Sequence, residues 1–337
     1  MEGSCMASGG FRKYLMRKTF VYLITFLFAV TLNWLLPRLM PGNPIEGMMA
    51  QAGTGGSVND ALVRFYERLY GLDQPLWKQF LNFWSSLFHG DLGYSILYRA
   101  PVADIIKHAL PYDIVILLPA IVLSWLVGNW LGALAGKNKM YDRYAMPVFY
   151  FLASMPYFWF AMLLVYVVGV ELGWLPYQGA YDPSLVPSIS LSFVGDFLKH
   201  WILPFLSLFT VMIGSWAIGM RNMIIYELEA DYVRYLEALG GSERLLTKHA
   251  YRNAILPQVT GLALQLGLMV AGAIATEIVF NYPGIGVLIM NAALSQDYFL
   301  LQGAFLMVVI AVLLANFLID IIYAFIDPRV RASYTEG

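Results

Sequence analysis

Cysteine and charge are both scarce in this chain. One cysteine, Cys5, is present among 337 residues, and the four histidines lie far apart in the sequence. A single cysteine excludes an internal disulfide framework and argues against a metal cluster. Charged residues make up 13% of the chain, about half the share that is usual in soluble proteins. The sequence therefore indicates neither redox chemistry nor a metal site.

Catalytic motifs are also lacking. The segment most similar to a phosphate-binding loop runs from Gly132 to Lys137, but it has one residue too few between its glycines. It also has Asn138 where Ser or Thr would hold magnesium. The sequence contains neither a His-Glu-x-x-His nor a Gly-x-Ser-x-Gly pattern. We therefore expect no enzymatic activity and no cofactor bound to this chain.

Apolar residues dominate instead. They make up 59% of the chain, and the mean hydropathy is +0.64, far above that of a soluble domain. A membrane-spanning helix needs about 20 apolar residues. Six segments approach or exceed that length, at about 19–36, 112–136, 144–169, 201–220, 254–280 and 300–326. The predicted fold is an all-α integral membrane protein with six transmembrane helices.

The distribution of Lys and Arg indicates the orientation. Basic residues are concentrated before the first segment, in the 137–143 and 221–253 loops, and in the tail. The 170–200 loop has only Lys199, and the 281–299 loop has none. Because short loops rich in Lys and Arg stay in the cytoplasm, both termini and the 221–253 loop are predicted to be cytoplasmic.

The same pattern divides the chain into five parts. We expect a disordered lead or tag at 1–10, the cytoplasmic N-terminus and first span at 11–40, an extracytoplasmic insertion at 41–111, a transmembrane core at 112–326 and a cytoplasmic tail at 327–337. Within the insertion, Val58–Tyr70 and Leu76–Phe88 have helical spacing and aromatic side chains. Both are predicted to be helices suited to a membrane surface.

The longest polar stretch among the apolar segments runs from Glu227 to Pro257. In it, Leu228, Tyr232, Leu236 and Leu239 recur at helical spacing and predict one apolar helix face. Gly240 and Gly241 then predict the end of this helix. Ser242 and Glu243 predict the N-cap and the acidic first turn of a second helix. The stretch is therefore predicted to form helix, turn and helix.

Small and polar residues inside the apolar segments indicate two further features. Gly128, Gly132 and Gly136 recur every four residues, which predicts close packing against another helix. Polar side chains at membrane depth are costly and indicate either a translocation pathway or gate, or a paired contact at a span end. The candidates for the pathway or gate are Asn129, Gln265, Glu277 and Asp320.

A series of short motifs occurs in order along the chain. It includes Leu-Met-Pro-Gly-Asn-Pro (39–44), Gly-Asp-Leu-Gly-Tyr-Ser (90–95), Asp-Tyr-Val-Arg (231–234), Arg-Asn-Ala-Ile-Leu-Pro (252–257) and Phe-Asn-Tyr-Pro-Gly-Ile-Gly (280–286). With these motifs, the chain from Phe11 to Arg331 resembles the permease subunits of ABC importers of the dipeptide/oligopeptide type. The resemblance implies the type I importer permease fold in a prokaryotic cytoplasmic membrane.

The resemblance also gives the polar stretch a role, since it is similar to the EAA loop whose coupling helix docks on an ATPase subunit. The implied coupling residues are Asp231, Ala238, Gly240, Gly241, Ser242, Glu243, Arg244, His249 and Pro257. Leu239 and Gly241 depart from the usual loop, and the second glycine predicts a looser turn. A basic amphipathic segment lying on anionic lipid is the alternative interpretation.

The partners implied by the resemblance are a second homologous permease, two ATP-binding subunits that hold ATP and magnesium, and an extracytoplasmic solute-binding protein. The bilayer surrounds the spans, and nucleic acid is not among the expected partners. The insertion at 41–111 and the turn at Tyr282, Pro283 and Gly284 lie on the side where the binding protein would dock. This turn is predicted to be type II, with Gly284 at positive φ.

The substrate is only partly indicated. The family that the chain resembles carries di- and oligopeptides, while proteins of similar sequence carry oligosaccharides or nickel complexes. The resemblance favours short oligopeptides, with oligosaccharides as the alternative. A secondary transporter is the competing class, but it would need coupling-ion sites at the membrane midplane and usually an internal repeat. Neither is evident in the sequence.

Overall fold

A computed structural model describes the backbone of residues 2–39, 45, 60–69 and 71–326. Side-chain surroundings are described for the same residues except 2–13, 60–62, 66, 69, 260, 263–264, 266–272, 319 and 322–326. Most of this chain is helical, as the composition predicts. Its β-structure, within the described ranges, is an antiparallel pair of β1 (Tyr94–Ser95) and β2 (Ala100–Pro101).

The helices follow the apolar segments and the polar stretch. In chain order they are α1 (Glu2–Leu35), α2 (Asp60–Leu69), α3 (Leu76–Phe88), α4 (Val102–Lys137), α5 (Lys139–Ser154), α6 (Tyr157–Leu164), α7 (Leu191–Leu228), α8 (Asp231–Ala238), α9 (Glu243–Phe280), α10 (Ile285–Leu294) and α11 (Tyr298–Ile326). A 3₁₀ turn at Leu36–Leu39 follows α1, and a π-helical stretch at Val165–Glu171 continues α6.

Four helices of the described chain are long and apolar enough to cross a membrane. They are Tyr14–Leu39, Val102–Lys137, Leu191–Leu228 and Tyr298–Leu318. Two bent pairs also qualify if each counts as one span, namely Lys139–Ser154 with Tyr157–Glu171, bent by 97°, and Ala273–Phe280 with Ile285–Leu294. With both pairs included the total reaches six, the number that the sequence predicts.

Several predicted boundaries differ from the structure. Helix α1 begins at Glu2, so the segment 1–10, predicted as a disordered lead or a tag, is helical from Glu2 onward. An existing helix is extended at little cost, because each added residue gains a hydrogen bond. Helix α4 begins at Val102 instead of 112, with Asp104 in its first turn, where the helix dipole favours an acid. The predicted insertion therefore contains the start of α4.

The predicted span at 144–169 is broken, since α5 ends at Ser154 and α6 begins after Pro156. Proline has no backbone N–H and disfavours helical geometry in the residue before it, which accounts for the break. The two helices predicted in the insertion are present as α2 and α3, and α3 has the predicted bounds. Residues 58, 59 and 70 of the predicted α2 segment lie outside the described residues.

The chain separates into two compact units. One consists of residues 1–113, 283–317 and 329–337, and the other of residues 114–282 and 318–328. The division at Asp113 lies close to the predicted end of the insertion at 111. In the first unit, Asn33 Nδ2 of α1 donates to the Gln302 carbonyl oxygen of α11 at 2.8 Å, and Gln302 Nε2 donates to the Trp34 carbonyl oxygen at 3.2 Å. This reciprocal pair fastens α1 to α11.

Helix α7 is the centre of the second unit, where α5 and α9 both pack along it. The predicted glycine face of α4 also packs on α7. A Cβ atom added to Gly128 would lie 2.5 Å from Trp216 Cβ, and one added to Gly136 would lie 2.7 Å from Ile224 Cγ2. A Cβ on Gly132 would overlap the carbonyl oxygen of Ala217. The predicted close packing is confirmed, because the two backbones meet where the side chains are missing.

Candidate functional site

The turn between α8 and α9 forms as the sequence predicts. Gly240 adopts the left-handed conformation with φ of 83°. Its N–H donates to the Glu237 carbonyl oxygen at 2.9 Å, and the Gly241 N–H donates to the Leu236 carbonyl oxygen at 3.0 Å. This pair of bonds is the Schellman motif, in which glycine supplies the left-handed position. The predicted helix end and helix–turn–helix are confirmed.

The second glycine does not loosen this turn. A Cβ atom on Gly241 would lie 2.8 Å from the Leu236 carbonyl oxygen, which is closer than side chains approach a backbone oxygen. Glycine at 241 therefore permits the hydrogen bond that closes the turn. The predicted looser turn is wrong, because the absent side chain allows a tighter approach of the backbone.

The buried face of α8 differs from the predicted one. Val233 is buried, Tyr232 and Leu236 are half-buried, and Leu239 is 66% exposed. Leu239 points outward because α8 ends at Ala238, and the helical spacing no longer applies at the cap. Tyr235, also on α8, is 67% exposed. The short helix thus presents two large apolar side chains to its surroundings.

Tyr232 joins α8 to both neighbouring helices. Its hydroxyl donates to Glu227 Oε2 of α7 at 2.7 Å, and the Asn253 side chain of α9 also hydrogen-bonds to it. Burial raises the pKa of Tyr232, and the hydrogen bond to the Glu227 carboxylate raises it further. The phenol therefore stays protonated at neutral pH and continues to donate this bond.

The start of α9 is largely open to solvent. Ser242 occupies the predicted N-cap position, but its side chain makes no capping hydrogen bond. Glu243 lies in the first turn, where the helix dipole stabilises an acidic side chain. The predicted coupling residues exposed at the surface are Asp231, Ala238, Gly240, Ser242, Glu243, Arg244, His249 and Pro257, and Gly241 is half-buried. The residues from Ala238 to Arg244 thus lie at one turn, whereas Asp231 begins α8 and His249 and Pro257 lie further along α9.

An ion pair joins the first turn of α5 to α7. Arg221 Nε and Nη2 of α7 donate to the two carboxylate oxygens of Asp142 on α5, at 2.9 and 2.7 Å. Bidentate pairs of this kind fix both position and orientation. Asn138 caps α5 by accepting hydrogen bonds from the N–H groups of Met140 and Tyr141. Sequence analysis did not find this pair, although both residues lie in loops that it assigns to the same side.

The four candidates for a translocation pathway lie on three helices of the second unit. Gln265 of α9 hydrogen-bonds to Tyr157 of α6. Glu277 is 5% exposed near the end of α9, and Asp320 of α11 is half-buried. Asn129 Nδ2 donates to the Trp125 carbonyl oxygen at 2.7 Å, but the buried Asn129 Oδ1 has no hydrogen-bond partner among the described atoms. Because buried polar atoms are usually paired, Asn129 is the strongest of these candidates.

The turn after α9 differs from its prediction. Asn281 adopts the left-handed conformation with φ of 45°, and the Tyr282 N–H donates to the Glu277 carbonyl oxygen at 2.8 Å. Gly284 has φ of −91° and ψ of −178° and precedes α10. The predicted type II turn with Gly284 at positive φ is therefore wrong, since asparagine at the end of α9 takes the left-handed position.

Tyr282 is fully buried and Gly284 is buried as well, whereas Pro283 is exposed. A buried side chain offers no contact area to a docked protein. Of the three predicted docking residues, Pro283 alone is exposed, and its contact with a binding protein stays a prediction.

Two buried carboxylates of the first unit were missed by sequence analysis. Asp297 Oδ2 accepts hydrogen bonds from Ser95 Oγ at 2.6 Å and from the N–H groups of Ile96 and Leu97 at 2.9 and 3.1 Å. Its Oδ1 accepts from the Leu300 N–H at 3.1 Å and so caps α11. Asp113 caps α10 in the same way, since both its oxygens accept from the Ile285 N–H at 3.2 Å. These carboxylates fasten the β1–β2 hairpin and two helices.

We expect Asp297→Ala to destabilise the first unit strongly. The change leaves four donors without their acceptor, two in buried bonds (Ser95 and Leu300) and two in part-buried bonds (Ile96 and Leu97). The loss should cost about 3 kcal/mol. Thermal unfolding of the detergent-solubilised protein measures the effect. Asp91→Ala is the matched control, since Asp91 is exposed and accepts a single described bond, from the Gly93 N–H. Equal unfolding temperatures for the two variants would contradict the assigned role of Asp297.

The chain is similar to known transport proteins. Residues 128–332 match the family described as binding-protein-dependent transport system inner membrane component. The di/tripeptide transport system permease protein of Pseudomonas aeruginosa strain UCBPP-PA14 is 33% identical over 335 residues, covering 94% of this chain and 98% of that protein. The glutathione transport system permease protein of Escherichia coli strain K12 is 33% identical over 318 residues, covering 93% of this chain and 97% of that protein. Its counterpart in strain CFT073 is 34% identical over the same length.

Proposed function

Since the chain belongs to the family of binding-protein-dependent transport system inner membrane components, we propose that it is the peptide-translocating permease subunit of an ATP-driven importer. It is a multi-pass protein of the bacterial inner membrane. The observation that carries the coupling role is the closed turn at Gly240 and Gly241, beside which Tyr235 and Leu239 are exposed; this turn and these two side chains are called the tip below. Exposed apolar residues bordered by charged ones are typical of a protein interface.

The partner at this tip is an ATP-binding subunit. Two such subunits hold ATP and magnesium and carry out hydrolysis, while a second homologous permease and an extracytoplasmic solute-binding protein complete the importer. Two features support a transmitting role for the turn. Tyr232 ties α8 to α7 and α9, and α9 runs without interruption from Glu243 to Phe280.

Movement of the ATP-binding subunits would displace α8. The hydrogen bonds of Tyr232 to α7 and α9 would then pass this movement to the helices of the second unit. Helix α9 has 38 residues and is about 57 Å long at 1.5 Å per residue. A continuous helix of this length can carry a displacement from one membrane surface to the other, as domain motions in transporters require. Chemistry on this chain is not needed for that step.

The proposed substrate is a short peptide. Two relatives are named as transporters of di/tripeptides and of glutathione, which is itself a tripeptide derivative. Cells that lack this chain should lose uptake of labelled tripeptides and regain it when the chain is restored. The purified cognate binding protein should bind tripeptides in calorimetry. If it binds cello- or manno-oligosaccharides and ignores peptides, the substrate assignment is wrong, but the permease assignment stands.

We expect Ser242 to face the cytoplasm. The positive-inside distribution of Lys and Arg predicts this side, and an ATP-binding partner requires it. Ser242→Cys in a Cys5→Ser background provides a single cysteine for labelling, since Cys5 is the only natural one. A membrane-impermeant maleimide should label it in inside-out vesicles and leave it unlabelled in intact spheroplasts. The reverse pattern would overturn both the topology and the coupling role.

A further inference from the structure

Helix α3 is fastened on one side to the end of the first membrane span. The Phe80 ring lies edge-on to the Trp34 ring, with 5.0 Å between centroids. Gln79 Oε1 accepts hydrogen bonds from Arg38 Nε and Nη2 at 3.3 and 3.2 Å. Arg38 in turn stacks on Trp34, 4.1 Å from its ring centroid. Since the candidate span covers Tyr14–Leu39, α3 lies beside the last turns of that span.

The side of α3 that faces the first unit is occupied. Gln79, Phe83, Ser86 and Leu87 line a cavity of about 160 Å³ that Arg38 and residues of α11 close from the other sides. At 100° per residue, these positions cover one face of the helix. The opposite face therefore points away from the protein.

That opposite face is apolar. Trp77, Leu81 and Phe88 are 65%, 57% and 80% exposed, and their spacing of four and seven residues places them in one stripe. The half-buried Trp84 lies in the same stripe, with its ring 5.8 Å from that of Phe88. Soluble surfaces rarely expose a continuous row of large apolar side chains. This row of side chains must therefore be covered by lipid or by another protein.

We propose that α3 is an interfacial helix whose stripe of Trp77, Leu81, Trp84 and Phe88 lies in the bilayer at the membrane surface where α1 ends. Three observations favour lipid over a protein partner. The helix is tied to the last turns of a span through Trp34, at the depth where aromatic belts form. The end of that span leaves Leu36 and Leu39 exposed at the same level. The stripe is continuous, mostly aromatic and uncharged, as in helices that rest in the headgroup and acyl boundary.

The edge of the stripe fits the same arrangement. Lys78 and Ser85 are exposed and lie next to the stripe on the side away from Phe80. A lysine there reaches the phosphate groups of the lipid while its aliphatic part stays near the apolar row. The helix thus holds the insertion at a fixed height on the membrane, and its inner face holds the cavity beside Arg38.

Site-directed fluorescence in the complete transporter tests this proposal. In a Cys5→Ser background, single cysteines replace Trp77, Leu81 or Phe88, and Lys78→Cys and Ser85→Cys are the matched controls from the polar edge. Each is labelled with nitrobenzoxadiazole and reconstituted in nanodiscs. Lipids that carry a spin label near the headgroup should quench the three stripe positions several-fold more than the two controls. Aqueous iodide should give the opposite order.

Two outcomes would overturn the proposal. Protection of the stripe from both quenchers would mean that a protein subunit covers it, and iodide quenching at all five positions would mean that it is open to water. A pair of charge changes adds an internal check. Leu81→Glu should strongly reduce lipid quenching at Phe88→Cys by drawing the helix toward water, whereas Ser85→Glu should leave it unchanged. Equal effects of these two substitutions would also contradict an interfacial position.

Discussion

Gly132→Val should prevent accumulation of the folded permease. A Cβ atom at this position already overlaps the backbone of Ala217, and valine adds two further methyl groups at the contact. Overpacking usually costs about 1 to 3 kcal/mol, and here the obstacle is backbone, which cannot rotate aside. The penalty should therefore reach the upper end of that range or exceed it. The yield of monodisperse protein in size-exclusion chromatography measures the result.

Gly195→Val is the matched control for this change. Gly195 also lies in a helix, α7, but a Cβ atom added there meets no atom within 4 Å. The control should express and elute like the natural protein. If Gly132→Val behaves like this control, helices α4 and α7 are not in direct backbone contact in the membrane.

Leu239→Asp should separate ATP hydrolysis from transport. The side chain is 66% exposed at the tip of the closed turn, so the variant should fold normally. In the proposed complex the tip enters a groove of an ATP-binding subunit, where the carboxylate must lose its water without gaining a partner. A penalty of 1.4 kcal/mol corresponds to a tenfold loss of affinity, so we expect peptide uptake to fall at least about tenfold. Uptake and ATPase rate in proteoliposomes together report the coupling.

Ile189→Asp serves as the control for surface charge. Ile189 lies in the loop between the π-helical stretch and α7 and is fully exposed. The Ile189→Asp variant should transport peptide at the rate of the unsubstituted protein. Both variants should have the unfolding temperature of the unsubstituted protein. Full uptake by Leu239→Asp would remove α8 from the coupling interface and leave the membership of the family unaffected.

Local signals in the sequence predicted the parts of the fold that depend on neighbours along the chain. The ending of α8 at Gly240 follows from the need for a left-handed residue after the last helical turn, which glycine meets with least strain. The close packing of α4 against another helix follows from glycines on one of its faces. The partner helix did not follow, because a small-residue face fits any helix that approaches closely.

Asp297 illustrates what sequence reasoning leaves out. An aspartate just before an apolar helix is a typical N-cap, so its bond to the Leu300 N–H could have been predicted from the sequence. Its bonds to residues 95–97 could not have been predicted, because they join positions about two hundred residues apart. Such a contact depends on the folded arrangement and leaves no periodic pattern. Asp113 and the Asp142–Arg221 pair were missed for the same reason.

The turn at 281–284 shows how one local rule can prevail over another. Proline followed by glycine is typical of a type II turn, and that pattern led to the wrong assignment of Gly284. The end of α9 imposes its own requirement one residue earlier, and Asn281 meets it in the left-handed conformation. Tyr282 is then drawn into the core, which removes it from the surface where a docking residue would have to lie.

The contact between the glycine face of α4 and helix α7 has a thermal consequence. When helices separate inside a bilayer, their surfaces meet lipid tails instead of water. The large heat-capacity change of unfolding comes from the hydration of apolar surface, so parting this contact should add little to it. Attraction between the two backbones is mainly dispersion, which cooling does not weaken as it weakens hydrophobic burial. The contact between α4 and α7 should therefore lose little stability on cooling.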